Sequence, residues 1–346
     1  MFIIYLIPMH ERLLRKWPLA LGAAILVLAA IFANYTVSRT PSTSPASIPT
    51  VKIGLVTFPG YAPFYLAKNK NLFPGISVEL LRIESIGDLR AALESGNIDM
   101  YAATYDIFQS TQDRIPPGVG FLAVDESHGA DGVVADASIH TIKDLRGKVV
   151  GTEPGFPAAL LLQYALDKEG MRLDDLQFKD LASQDAGNAF AVGRLDAAGT
   201  YEPYLSSSQQ KRPGSKILLS SRETPGLIVD ILFTSPTLAK SHPEYLKSVA
   251  DGWFTALKYL TDNPTESLQI MAEAFGVSPQ EMADFRTGVS WKTLDDNRKL
   301  FDDTNPNNVF DTFTRVGSIL RKFKNTNVTM KAEEKLTNAI IRQYDR

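Results

Sequence analysis

The feature that most constrains this chain is a pattern that occurs twice. "VTFPGYAPFYLA" (residues 56–67) and "VGTEPGFPAALLL" (150–162) share one form: a strand end, Pro-Gly, an aromatic residue, a proline and a helix start. "ESGNIDMYAATYD" (94–106) and "AVGRLDAAGTYEP" (191–203) share another: a helix end, glycine, a two-residue turn, aspartate, small residues and a polar loop. The spacing is too long and the match too loose for a solenoid repeat. Two α/β lobes of similar construction that face each other fit it better.

The segments between the repeats alternate strand and helix. "VKIGLV" (51–56), "ISVELLRI" (76–83) and "IDMYAAT" (98–104) read as strands, with helices over 62–73 and 86–96. This βαβαβ order predicts a mainly parallel sheet flanked by helices. Ligands on such sheets sit at the carboxyl ends of strands, near helix N-termini. "TFPGY" (57–61) and "TYD" (104–106) are therefore candidate site loops on one edge. "VGFLAVDESHGADGVVAD" (119–136) reads as two short strands around a glycine turn. The order restarts at Ile142, with strands over 148–153, 176–182, 195–203, 215–221 and 226–234. Beyond Ser235 almost everything reads as helix.

The first fifty residues are of another kind. Arg12, Arg15 and Lys16 precede "PLALGAAILVLAAIFA" (18–33), which carries no charge. A basic stretch before an apolar one reads as a secretory signal or, if kept, a membrane anchor over residues 1–35. The positive charges place the following chain outside the cytoplasm. Residues 36–50, rich in Ser, Thr and Pro, read as an extended linker. The first fifty residues carry a net +3 and the whole chain −3, which leaves −6 on the body. An acidic body argues against nucleic acid and anionic membrane surfaces as partners. The chain has no cysteine, so thiolate metal sites and thiol nucleophiles are excluded.

"GYAPFYLAKNKNLF", "ALESGNIDMYAATYD", "IKDLRGKVVGTEPG" and "GRLDAAGTYEPYLS" together resemble the extracytoplasmic substrate-binding proteins of ABC importers, in the nitrate/sulfonate/taurine-type family. The resemblance implies the bilobal type II periplasmic-binding-protein fold, α/β in class, with a two-segment hinge and a helical C-terminal region. It places residues 51–132 and 234–346 in lobe 1 and 133–233 in lobe 2, with hinge crossings near 132–135 and 228–233. It implies capture of a small organic nitrogen or sulfur compound in the interlobe cleft and delivery to an ABC permease in the cytoplasmic membrane. The protein would be a monomer, periplasmic or tethered to that membrane, without enzyme activity and without a cofactor or metal. A membrane-tethered solute sensor and a pyrimidine-synthase-like enzyme are the alternatives. The synthases carry a Cys-rich motif that this chain lacks.

The resemblance assigns binding positions to Phe58, Gly60, Tyr61, Thr104, Asp106, Glu153, Gly155, Phe156 and Glu202. Tyr61 and Phe156 then become aromatic walls of the cleft, although first-turn packing on the sheet would place them equally well. Gly60 and Gly155 let backbone N–H groups approach a ligand at a helix start. Asp106, Asp125, Asp131, Glu153, Glu202 and Asp230 all fall near predicted strand ends or hinges. Carboxylates gathered in one cleft disfavour an anion and suit an amine, an amidinium or a zwitterion. Several of the six also fit as helix caps or hinge ion pairs. Asp125 and Asp230 complete the candidate set. Arg222 is a possible fork for a sulfonate or carboxylate, or a surface ion pair. His128 has no partner at ligand spacing. Trp291 is expected either at one edge of the cleft or in helix packing.

Overall fold

The computed structural model describes residues 48–111, 118–322 and 330–345. Apart from Ile48, the described residues belong to one compact unit, Pro49–Arg346. The apolar run over 18–33 and most of the Ser/Thr/Pro stretch lie outside the described residues. Among the described residues, no helix is long and apolar enough to cross a membrane.

The body is built on two separate sheets. The first begins with β1 (Thr50–Leu55), β2 (Ser77–Arg82) and β3 (Met100–Thr104), in which β1 pairs in parallel with both neighbours. Helices α1 (Ala62–Asn69) and α2 (Ile86–Glu94) make the crossovers. A third helix, α3 (Tyr105–Thr111), leaves directly from the end of β3. β4 (Val119–Ser127), β10 (Val229–Thr234) and β11 (Val289–Trp291) complete the order β11-β4-β10-β3-β1-β2, and β10 runs antiparallel to both strands beside it.

The second sheet contains β5 (Asp131–Ala135), β6 (Val149–Thr152), β7 (Gln177–Asp180), β8 (Ala197–Tyr201) and β9 (Lys216–Ser220), ordered β7-β6-β8-β5-β9. Helices α4 (Pro157–Lys168), α5 (Ser183–Ala191) and α6 (Tyr204–Lys211) flank it. Its strands alternate between two apolar layers. Val133 and Ala197 pack with Leu162 and Leu166 on one face, while Val134 and Ala198 pack with Phe190 and Leu205 on the other.

The repeated motif has a physical cause in both sheets. Asp99 Oδ2 accepts the Lys52 N–H at 2.8 Å, and Asp196 Oδ2 accepts the Val149 N–H at 2.8 Å. Each aspartate fixes the start of a neighbouring strand. The glycines that precede them, Gly96 at φ 68° and Gly193 at φ 77°, end a helix in the left-handed conformation.

The two strands read over 119–136 stand on either side of the turn at Gly129, and they lie in different sheets, β4 in the first and β5 in the second. The chain crosses between Ser127 and Asp131 and returns between Ser220 and Val229. Residues 228–233, expected in lobe 2 and its crossing, mostly belong to β10 of the first sheet, and residues 132–135 lie within β5 of the second. An apolar run names a buried strand but not the sheet that receives it; β10 goes where β3 and β4 both lack a partner.

The C-terminal third supplies α7 (Pro236–Ser241), α8 (Pro243–Asp262), α9 (Pro264–Phe275), α10 (Pro279–Arg286), α11 (Leu294–Leu300), α12 (Val309–Lys322) and α13 (Ala332–Lys335). Proline at the first helical position starts α7 through α10, where a missing N–H is harmless. These helices cover the first sheet. Trp253 of α8 is fully buried against Phe64 of α1, with ring centroids 4.7 Å apart, and its Nε1 donates to the Lys292 carbonyl at 3.0 Å. Among the described residues of this third, Val289–Trp291 departs from the helical reading and adds a strand to the edge of β4.

Candidate functional site

The ends of the two sheets meet around a cavity of about 280 Å³, open solvent at its mouth included. The first lobe lines it with Val56, Phe58, Tyr61, Thr104, Ile107 and Asp230, and the second with Asp131, Phe156, Pro157 and Tyr201. Strand register explains this selection. Asp230 of β10 lies opposite Thr104 of β3 on one side and opposite Asp125 of β4 on the other. Directly opposed residues in antiparallel strands project from the same face. Asp125, Asp230 and Thr104 therefore form a row across the first sheet. In the second sheet Asp131 of β5 lies opposite Tyr201 of β8.

The row is deeply buried. Asp125, Asp230 and Asp131 are 0%, 2% and 2% exposed. The Tyr61 hydroxyl donates to Asp230 Oδ1. Neither oxygen of Asp125 meets a donor. The Asp230 carboxyl lies within hydrogen-bonding range of Asp125, and two carboxyls can bond only by sharing a proton. Burial first, and then the Asp230 charge, push the Asp125 carboxyl well above the usual range. Burial also raises Asp230 and raises Asp131 strongly. Lys292 opposes the shift at Asp125, but its ammonium is bonded to Glu126 Oε2 at 2.7 Å. Burial and then Asp230 raise the Tyr61 phenol, which keeps it a donor.

Asp106 stands in the first turn of α3, 1% exposed, and its carboxyl is raised from 3.8 to about 7, chiefly by burial. Thr104 Oγ1 makes no well-formed hydrogen bond, though it lies close enough to favour the charged form of Asp106. The aromatic wall spans both lobes. Phe58 meets Tyr61 at 5.6 Å and Tyr201 at 5.9 Å, both edge to face. Gly60 is required by close approach: a Cβ there would lie 2.0 Å from Asp125 Oδ2 and 2.6 Å from Phe58 Cε1. Gly155, at φ 86°, sets the turn into α4, and its carbonyl faces Ser110 Oγ of the first lobe at 3.5 Å.

The residues singled out from the sequence thus separate into groups. Phe58, Tyr61, Thr104, Phe156 and Asp230 line the cavity together. Gly60 packs against Asp125 beside that lining, and Asp106 stands in the first turn of α3, one residue before Ile107 of the lining. Glu202 turns to α6, accepting Ser206 N–H at 3.1 Å and Ser206 Oγ–H at 2.5 Å. Glu153 likewise accepts Ser183 N–H at 2.9 Å and Oγ–H at 3.0 Å at the start of α5. These two carboxylates act as helix caps here, and burial raises both. Arg222 lies over Gly129 at the first crossing, its Nε donating to the His128 carbonyl at 3.4 Å. Trp291 Nε1 donates to the Pro59 carbonyl at 3.2 Å and so steadies the loop that carries Gly60.

Sequence reasoning does not find Tyr201, Val56, Ile107 or Pro157, and it names Asp131 only as one of six carboxylates near strand ends. Tyr201 was within reach: strand alternation puts it on the face opposite to Glu202, so only one of the two can look into the cleft.

The NMT1/THI5-like family profile matches residues 59–267. A protein of Brucella abortus (strain 2308), provisionally named a binding protein, is 29% identical over 157 residues, which is 44% of this chain and 48% of that protein. The chain thus spans about half the length of the curated relatives it matches first. The alkanesulfonate-binding protein SsuA from Xanthomonas axonopodis pv. citri, bound to MOPS, superposes with a TM-score of 0.69 at 18% identity, covering 84% of this chain and 99% of that one. The periplasmic nitrate-binding protein NrtA from Synechocystis PCC 6803 gives 0.68 at 15% identity, over 86% and 88%. These likenesses show the periplasmic-binding-protein fold. With the profile covering more than half of its length, the chain belongs to the NMT1/THI5-like family.

Proposed function

We infer that this protein is the solute-binding component of an ABC import system. It acts outside the cytoplasm, captures a small organic nitrogen or sulfur compound between its lobes, and delivers it to a membrane permease. It works by binding and not by catalysis. The observation that carries this reading is the cavity whose walls come from both sheets, Phe58, Tyr61 and Asp230 from one, Asp131, Phe156 and Tyr201 from the other. A ligand that touches both sets selects the closed arrangement by its differential contacts. The binding activities named for the two structural neighbours support the general role. The basic and apolar N-terminal segment supports export, with the segment either cleaved or kept as a tether.

The test is native mass spectrometry of the full-length protein, followed by titration of whatever small molecule is released from it. Tyr61→Ala is expected to weaken that binding at least about tenfold, roughly 1.4 kcal/mol. A protein that carries no small molecule and responds to none in a broad solute screen would end this reading.

A further inference from the structure

The cavity contains a conflict that its own residues do not resolve. Asp125 and Asp230 are direct cross-strand neighbours, fully buried, and like charges placed so are destabilising. Asp131 and Asp106 add negative charge from the other sheet and from α3, each acting on its neighbours. The lining includes no lysine or arginine. Lys292, the cation that acts on Asp125, is held by Glu126. Thr104 Oγ1 lacks a partner although Thr104 is 3% exposed and lines the cavity, and the Asp125 oxygens meet no donor beyond the proton shared with Asp230. Buried acceptors without donors are rare and call for a missing donor.

Resting on the solute-binding reading, we propose that the cavity takes a small organic ammonium ion, a protonated primary or secondary amine on an apolar body, and that this ion replaces a proton shared by Asp125 and Asp230. The amine enters with its own N–H donors; the shared proton leaves to water; the charge inside the cavity is unchanged. Phe58, Tyr61, Phe156 and Tyr201 supply aromatic surface, which attracts a cation. Val56, Ile107 and Pro157 receive the apolar body. A quaternary ammonium fits less well because it has no N–H for the unpartnered oxygens. A sulfonate or nitrate fits worst, because it adds a negative charge beside carboxylates that already share a proton. The space that a water-sized sphere can enter is about 20 Å³, so the ligand is small and its entry parts the walls.

The exchange makes affinity depend on pH. The groups facing the pair are Tyr61, Asp131, Asp106 and Lys292, with Tyr105, Glu126 and Glu202 behind them. Since bound amine and shared proton compete, acid favours release.

The experiment uses the full-length protein, freed of small molecules by unfolding and refolding, in thermal-shift and calorimetric titrations. The probes are benzylamine and butylamine, tetramethylammonium, and the matched anions benzenesulfonate and 1-butanesulfonate. The amines are expected to raise the melting temperature at pH 8, and their affinity to fall by up to tenfold per pH unit towards pH 6. Tetramethylammonium should act weakly and the sulfonates not at all. Calorimetry in phosphate and in Tris should differ by the buffers' ionisation enthalpies, in proportion to the proton released. Asp230→Asn should lose the amine response and, without ligand, melt higher than the parent at pH 8; Asp125→Asn should do the same, which guards against misfolding of either one. A response to sulfonates but not amines overturns the ammonium inference and leaves the solute-binding reading intact. Silence from every probe overturns the inference, and a parallel silence in the broad solute screen ends the broader reading. Amine binding without proton release overturns the exchange.

Discussion

Asp106 makes the burial of acid in this cleft measurable without any ligand. Its carboxyl is raised from 3.8 to about 7, with burial as the main cause and the Thr104 hydroxyl and nearby backbone N–H groups opposing it. In the unfolded chain the ordinary value returns. Between these two values the native state holds a proton that the unfolded state has lost. Stability from this group is therefore fully present at and below about pH 4, falls as pH rises, and levels off above about 7. One proton changes stability by at most ~1.4 kcal/mol per pH unit, so the interval from pH 5 to pH 7 should cost about 2 kcal/mol. Asp106→Asn removes the titration and keeps the shape. Urea unfolding of ligand-free protein, followed by the fluorescence of the buried Trp253, gives the two profiles at pH 5, 6, 7 and 8. Carboxylates elsewhere that titrate in both proteins cancel in the difference. The variant is expected to gain on the parent from pH 5 to 7, to gain little more by pH 8, and to be the more stable of the two there. Parallel profiles would show that Asp106 keeps an ordinary carboxyl, and the account of the cleft as a store of uncompensated acid would fall with it.

Three further outcomes are expected. Gly60→Ala drives a Cβ into the Asp125 carboxyl and the Phe58 ring, so ligand response should be lost and melting should show a destabilisation of about 1–3 kcal/mol; an unchanged melt would mean that the Gly60 loop has room to move. Glu202→Gln should lower stability by about 1 kcal/mol through its bonds to Ser206 and leave ligand affinity nearly unchanged, as read by chemical denaturation and titration; a tenfold loss of affinity would place Glu202 at the ligand after all. A chain beginning at Thr50 should be soluble and monomeric in sedimentation, since the charge-free run over 18–33 is then absent; a need for detergent would make that run part of the fold.

The doubled motif made the two α/β halves legible because it encodes local acts. Gly96 and Gly193 end helices, and Asp99 and Asp196 tie down strand starts. Such acts depend on near neighbours and so leave a mark in the sequence. Pairing across the sheets leaves none. Nothing local tells that "GLIVDILFT" joins β3 to β4, so a linear reading places the crossings only to within several residues. The same blindness shaped the site. Pro-Gly-aromatic turns revealed Phe58, Tyr61 and Phe156. Glu202 and Glu153 attracted notice as charges at strand ends, yet a serine nearby claims each one. Tyr201 and Asp131 face the cavity because they are register partners across β5 and β8. Register is set by the whole sheet, and a linear reading sees only one strand at a time.

The position of β10 also governs the order in which the protein can be made. All five strands of the second sheet fall within residues 131–220, one continuous stretch. The first sheet has a gap between β3 and β4 that only Val229–Thr234 can fill. As the chain leaves the ribosome, the lobe begun first is finished last, and the lobe inserted into it can close early. Until residue 234 arrives, β3 and β4 hold open edges that seek a partner, and the long sequence separation of these contacts slows their formation. On the export reading this delay is useful, because the leading portion stays unlocked and can be threaded across a membrane.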